Sequence, residues 1–90
     1  MAETQGNPQD GEDVVSGTLA YLARALVEHP EDVRVETSPG ERGTIYKLHV
    51  HPDDMGRVIG RGGRIARAIR QVTRAAAARV GTGAFIEIGD

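Results

Sequence analysis

The sequence predicts an α+β fold, a two-layer sandwich in which a three-stranded sheet carries three helices on one face. Three observations predict it. The hydrophobic period changes along the chain from helical to alternating and back. Two alternating segments flank a Pro-Gly turn, the mark of a hairpin. The stretch 54–70, DMGRVIGRGGRIARAIR, sets three glycines within four residues between two helical patterns.

The elements follow in order. Residues 1–12 are polar and turn-rich and read as a disordered acidic tail, so the domain is taken as 13–90. Val15, Leu19, Leu22 and Leu26 then recur at spacings of four, three and four, giving an amphipathic first helix closed by Pro30. Val33 and Val35 alternate with Arg34 and Glu36 as a half-buried strand. After the turn SPGERG, Tyr46, Leu48 and Val50 share one strand face and Ile45, Lys47, His49 and His51 the other. Pro52, Asp53 and Asp54 open a short helix over 53–59, because proline and acids suit a first helical turn. A longer helix is expected from 64 to 80, with Ile65, Ile69, Val72, Ala76 and Val80 on the buried face and Arg67, Arg70 and Arg74 opposite. Gly81 is its C-cap, and AFIEI is the last strand, with Ala84, Ile86 and Ile88 inward and Phe85 and Glu87 outward.

Composition narrows the function classes. A chain of 90 residues makes one small domain. It has no cysteine, which excludes disulfides and thiolate metal sites. Its N-terminus has no secretory pattern, and the most apolar stretch, 14–27, is too broken to span a bilayer, so a cytoplasmic location is expected. The net charge of −2 conceals an asymmetry. Residues 1–54 carry 4 basic and 11 acidic side chains; residues 55–90 carry 7 arginines and 2 acids. The local field of that second half is strongly positive.

Glycines before a helix make an anion site, because free N–H groups and the helix dipole face the ligand. Two nucleotide loops fail on the residues. No G-x-x-x-x-G-K-[ST] string is present, and the position that would complete G-x-G-x-x-G is Ile65. What remains is a G-x-x-G loop joining two helices. VIGRGGRIARAI resembles the signature of the KH domain, in which such a loop clamps a single-stranded nucleic-acid backbone. The order helix–strand–strand–helix–helix–strand resembles the type II KH arrangement. Together with HPEDVRVE and the size, it is similar to the small single-KH bacterial RNA-binding proteins of the KhpA type.

That resemblance implies single-stranded RNA as partner. Gly60 and Gly63 match the defining glycines, and Arg61 and Gly62 the pair between them. Arg61 and Arg64 are expected on phosphates, Arg57 and Arg67 beside the same path, and Val58 and Ile59 on the floor of a groove for bases. Ala66 stands where many KH domains carry a large aliphatic residue, and the connection GTG is short; both imply weak, loosely selective binding. Contact with about four nucleotides predicts a salt slope of roughly −2 to −3. The resemblance further implies an RNA chaperone or post-transcriptional role, self-association, pairing with a larger KH-containing RNA-binding protein, and links to cell shape and envelope growth. No cofactor is expected, nor an enzyme: the sequence offers no nucleophile–base pair. His49 and His51 share a strand face without an evident third metal ligand, and Asp53 and Asp54 read as helix-opening residues. Two readings stay open, a single-stranded RNA-binding module and a protein-assembly module. DNA stays open as the ligand, since a backbone clamp does not by itself demand a 2′-OH.

Overall fold

The computed structural model describes residues 8–89. Helix α1 spans Pro8–Leu26, strand β1 Arg34–Pro39, β2 Thr44–His49, helix α2 Met55–Ile59, α3 Arg64–Arg79 and strand β3 Ala84–Ile88. Single 3-10 turns at Pro30–Asp32 and Pro52–Asp54 introduce β1 and α2, each with proline at its start. The sheet order is β1-β2-β3; β1 and β2 pair antiparallel, β2 and β3 parallel. The fold is the expected α+β sandwich, with α1 and α3 packed on each other and on one face of the sheet.

The helix α1 begins earlier than the first apolar repeat suggests. Pro8 suits a first helical turn, so residues 8–12, read from sequence as tail, continue the helix. Residues 1–7 lie outside the described residues. The helix ends at Leu26, one turn short of Pro30.

Burial corrects two faces. In α1 the buried positions are Val15, Leu19, Ala20 and Ala23, while Leu26 is exposed. In α3 the buried face is Ala66, Ile69, Thr73 and Ala77, not the expected Ile65, Ile69, Val72, Ala76 and Val80; Val72 is 50% exposed. The stripe keeps Ile69 and is rotated about the helix by roughly 65°. Three of the four inward side chains are small, Ala66, Thr73 and Ala77, which suits the packing of α3 on α1 and on the sheet. The sheet face is as expected: Tyr46, Leu48 and Ile86 are buried, and Phe85 and Glu87 are exposed.

The end of α3 is closed by a pair of backbone bonds, Thr82 N–H to the Ala77 carbonyl at 2.9 Å and Gly81 N–H to Ala78 at 3.2 Å. This Schellman arrangement satisfies carbonyls that the helix leaves open. It turns the chain directly into β3, where Thr44 N–H donates to Gly83 at 3.0 Å. The short GTG connection is therefore tied to the β1–β2 hairpin.

Candidate nucleic-acid interface

The loop is built from the backbone outward. Gly60, Gly62 and Gly63 have φ of 76°, 65° and 76°, a region that side chains disfavour. Gly60 is the most constrained: a Cβ there would stand 2.6 Å from Ile65 Cγ1. At Gly62 and Gly63 the same test meets open space, so these two need glycine for conformation alone. Gly62, which the sequence pattern alone leaves as a variable position, therefore shares the left-handed geometry of Gly63. Gly60 N–H donates to Gly56 at 2.9 Å and Gly63 N–H to Gly60 at 3.1 Å. The loop is thus a closed turn stacked on α2, with exposed Arg61 and Gly62 at its tip.

The predicted site residues do not all share one surface. Arg61 and Arg67 are exposed, and no acid of the described residues pairs with them. Arg64 is exposed too, but it lines an apolar groove between α1 and α3 with Leu22, Leu26, Ile65 and Val72. Val58 is fully buried in the core; only Ile59 of that pair is half-exposed, with Gly89 at the end of β3 beside it. Arg57 is already engaged: its guanidinium meets Glu28 at 3.0 Å and Asp54 at 3.4 Å. Ala66 is buried, and Ile65 packs over Gly60 in the space beneath the loop. The aliphatic bulk thus sits one residue early.

A feature that sequence reasoning assigned only to helix capping is the support under the loop. Asp54 is fully buried. Its carboxylate accepts from Glu28 N–H at 3.1 Å, His29 N–H at 3.0 Å and the His29 ring at 3.0 Å. Burial alone pushes the Asp54 pKa up, but the Glu28 N–H, the His29 ring and N–H, and the His29 charge together hold it below the usual carboxylate value. The hydrogen bond to Asp54 raises the pKa of His29 against some desolvation. The His29 ring also stacks on His51, with centroids 4.1 Å apart. The carboxylate therefore fastens the chain after α1 to the start of α2, the helix that carries the loop. His49 is separately bonded to Glu36 at 2.8 Å, so the two strand histidines serve different contacts. No sequence signal short of the pairing itself links residue 54 to residues 28 and 29.

The two flanks of α3 differ in character. With Ala66, Ile69, Thr73 and Ala77 inward, the helical period places Arg67, Arg70 and Arg74 on one side and Ile65, Ala68 and Val72 on the other. Arg70 reaches β3, where its Nε donates to the Ile86 carbonyl at 3.3 Å.

Two helices joined by a G-x-x-G turn, over a three-stranded sheet whose last strand runs parallel to its neighbour, form a KH domain of the type II order. The family model described as the KH domain of KhpA/KhpB matches residues 17–88. The chain belongs to that family. It is 51% identical over 57 residues to the RNA-binding protein KhpA of Mycobacterium tuberculosis, spanning 63% of this chain and 71% of that protein. It is 49% identical over 70 residues to the RNA-binding protein KhpA of Clostridium perfringens, spanning 78% of this chain and 93% of that one. No solved structure matches.

Proposed function

We propose that the chain binds single-stranded RNA in the cytoplasm, with the loop Gly60–Gly63 as the clamp on the phosphate backbone. The observation that carries this reading is the loop and the helix it opens: glycine-only backbone geometry with exposed, acid-free arginines at Arg61 in the loop and Arg67 on α3. Phosphate contact needs close backbone approach and unpaired positive charge, and both are present. The printed names of the relatives, RNA-binding proteins, support the same ligand. Among the predicted residues, Arg61, Gly62 and Arg67 carry the contact, and Ile59 borders the path of the bases. Arg57 and Val58 act from beneath, one in ion pairs and one in the core. No chemistry is assigned, and the role proposed on that binding is that of an RNA chaperone or post-transcriptional regulator.

One observation favours a second reading beside the first. Leu22, Ala25, Leu26, Ile65, Ala68 and Val72 surround an open apolar groove of about 340 Å³ between α1 and α3. Apolar surface of this kind suits self-association, or pairing with a larger KH-containing protein. A dimer would present two loops and raise avidity without new contacts.

The experiment is a titration of a short fluorescent mixed-sequence RNA, and of its DNA equivalent, at low and moderate salt. Wild type is compared with Arg61→Asp/Gly62→Asp. Nothing lies within 4 Å of a Cβ at Gly62, aspartate is among the few side chains that visit a positive φ, and the tip is exposed, so circular dichroism should show both folded. Loss of binding in the folded double variant, with wild-type binding that weakens as salt rises, is the expected result. Equal binding by both proteins, or by neither, would move the assembly reading to first place. Equal affinity for RNA and DNA would confine the clamp to the backbone.

A further inference from the structure

The turn that opens α2 is capped by a group that a proton can switch off. His51 precedes the turn Pro52–Asp54, and the Asp53 N–H donates to its Nδ1 at 3.0 Å. A backbone N–H can only donate, so Nδ1 is bare and the ring is neutral, with its proton on Nε2. The residues that usually cap helical turns accept through a hydroxyl, amide or carboxylate oxygen. In histidine the accepting lone pair is also the basic site, so a second proton on the ring abolishes the cap. The His51 side chain is part-exposed, and solvent protons reach it. The His29 ring stacks on it, with centroids 4.1 Å and planes 16° apart, and His29 Nδ1 faces the Asp54 carboxylate. Asp54 balances one cation in this stack; a second would set like charges against each other. The connection after α1 brings Glu28, Glu31 and Asp32 to this region, β1 brings Arg34, and β2 brings His49, which Glu36 holds. The turn and α2 bring Asp53, Asp54 and Arg57. The carboxylate beside His51 is that of Asp53, 3.8 Å from Nδ1. A protonated ring can turn to that carboxylate only by giving up the N–H of the same residue.

We propose that His51 is a positioning residue for RNA binding: its neutral ring caps the turn before α2, and protonation of that ring loosens the grip of the loop. This rests on the loop being the phosphate clamp. α2 spans only 5 residues, too few to hold a helical shape alone, so its ends matter to its place. One end is the capped turn. The other carries Gly60, whose N–H donates to the Gly56 carbonyl. The same turn holds Asp54, which fastens α2 to Glu28 and His29. Release of the Asp53 N–H therefore slackens the base from which the loop is presented. Only molecules with the turn closed grip at full strength, and apparent affinity falls with their fraction. The sign is distinctive, because protons added elsewhere make the protein more positive and tighten its hold on a polyanion.

The test measures affinity for the short mixed-sequence RNA at one salt concentration from about pH 8 to about pH 5, the range in which imidazoles ordinarily change charge. Wild type, His51→Asn, His51→Ala and Arg61→Asp/Gly62→Asp are compared, with circular dichroism at each pH. Asn keeps a capping acceptor that does not titrate, and Ala has none. Charge changes elsewhere in the protein and in the RNA are common to wild type and His51→Asn, and cancel in their ratio. The two should bind alike at the alkaline end. At the acid end wild type should fall behind by about fivefold, the scale of one cap. His51→Ala should lag His51→Asn at both ends. Nuclear magnetic resonance of the His51 ring should show the fall tracking its protonation. A ratio of wild type to His51→Asn that stays constant with pH would overturn the proposal while leaving the clamp intact, and this comparison decides even if the Ala variant folds poorly. Equal binding by folded Ala and Asn variants would overturn it too, as would a fall that tracks another group. Undiminished binding by the loop variant, or no binding by wild type, would instead remove the clamp and this inference with it.

Discussion

The two flanks of α3 differ in what they leave unsatisfied. One carries Arg67, Arg70 and Arg74, exposed or half-exposed and free of acidic partners among the described residues. The other carries Ile65, Ala68 and Val72, which with α1 form an open apolar groove. Between them lies a narrow inward stripe of mostly small residues. A helix whose inward stripe is narrow can leave both remaining flanks for external partners of opposite character. Charge attracts a polyanion, and apolar surface attracts another apolar surface.

The largest expected effect comes from the one position that joins the two flanks. Gly60 belongs to the proposed clamp by its backbone, and Ile65 of the apolar flank fills the space of its missing side chain. In Gly60→Val the Cβ clash and the strained φ act together, and the melting temperature should fall by roughly 10 °C or more. Both RNA binding and association should fail with it. A normal melting curve for this variant would break the link between the flanks.

Next comes Asp54→Asn, which replaces an acceptor oxygen with a donor facing the N–H groups of Glu28 and His29. Thermal denaturation should show a loss of about 5–10 °C, the cost of unpaired buried groups in a domain of this size. RNA affinity should fall as well, because α2 would no longer be held.

Smaller and more selective is the pair Arg67→Ala and Val72→Glu. Arg67→Ala should reduce the salt slope of RNA binding by about 0.7, one phosphate on a single strand, with melting unchanged. Val72→Glu should leave the affinity of each protomer for a short oligomer unchanged and abolish any association seen by light scattering. If each variant damages both properties, the flanks are not independent.

The smallest effect is a pH dependence. The raised pKa of His29 means its contribution is fully present below the ordinary value of 6.5 and lost as pH rises through the folded value. The lowered pKa of Asp54 means its contribution is present above the ordinary 3.8 and lost as pH falls through the folded value. The pair is therefore strongest between the two. As pH rises from the ordinary value of 6.5 through the raised folded value, wild type should lose stability more steeply than His29→Gln. Parallel curves would show that the ring contributes through packing on His51 instead.

Much of this was legible in the sequence, for reasons that differ by residue. Glycine and proline act locally, so the bounds of α2, the loop, α3 and β3 follow from Pro52, Gly60, Gly63 and Gly81 within a residue or two. The inward face of α3 was not legible in the same way. Ile65 and Val72 are more apolar than Ala66 and Thr73, and a hydrophobic count prefers them; close packing chose the smaller residues. The spacing of 66, 69, 73 and 77 was an equally helical signal. Arg57 reads from the sequence as flanking the phosphate path because its ion-pair partner Glu28 is far away in sequence. The role of Asp54 depends on atoms 25 and 26 residues distant, and no local pattern encodes such a contact.

That same carboxylate has a consequence for how the molecule breathes. The amides of Glu28 and His29 lie in a connection between elements, where hydrogen exchange is ordinarily fast. Here they are held by an anion buried at the base of α2. Their exchange can proceed only when the segment after α1 parts from the helix that carries the loop. These two amides are therefore internal reporters of that parting, and ligands gripped at the loop should slow their exchange from a distance, with no contact of their own.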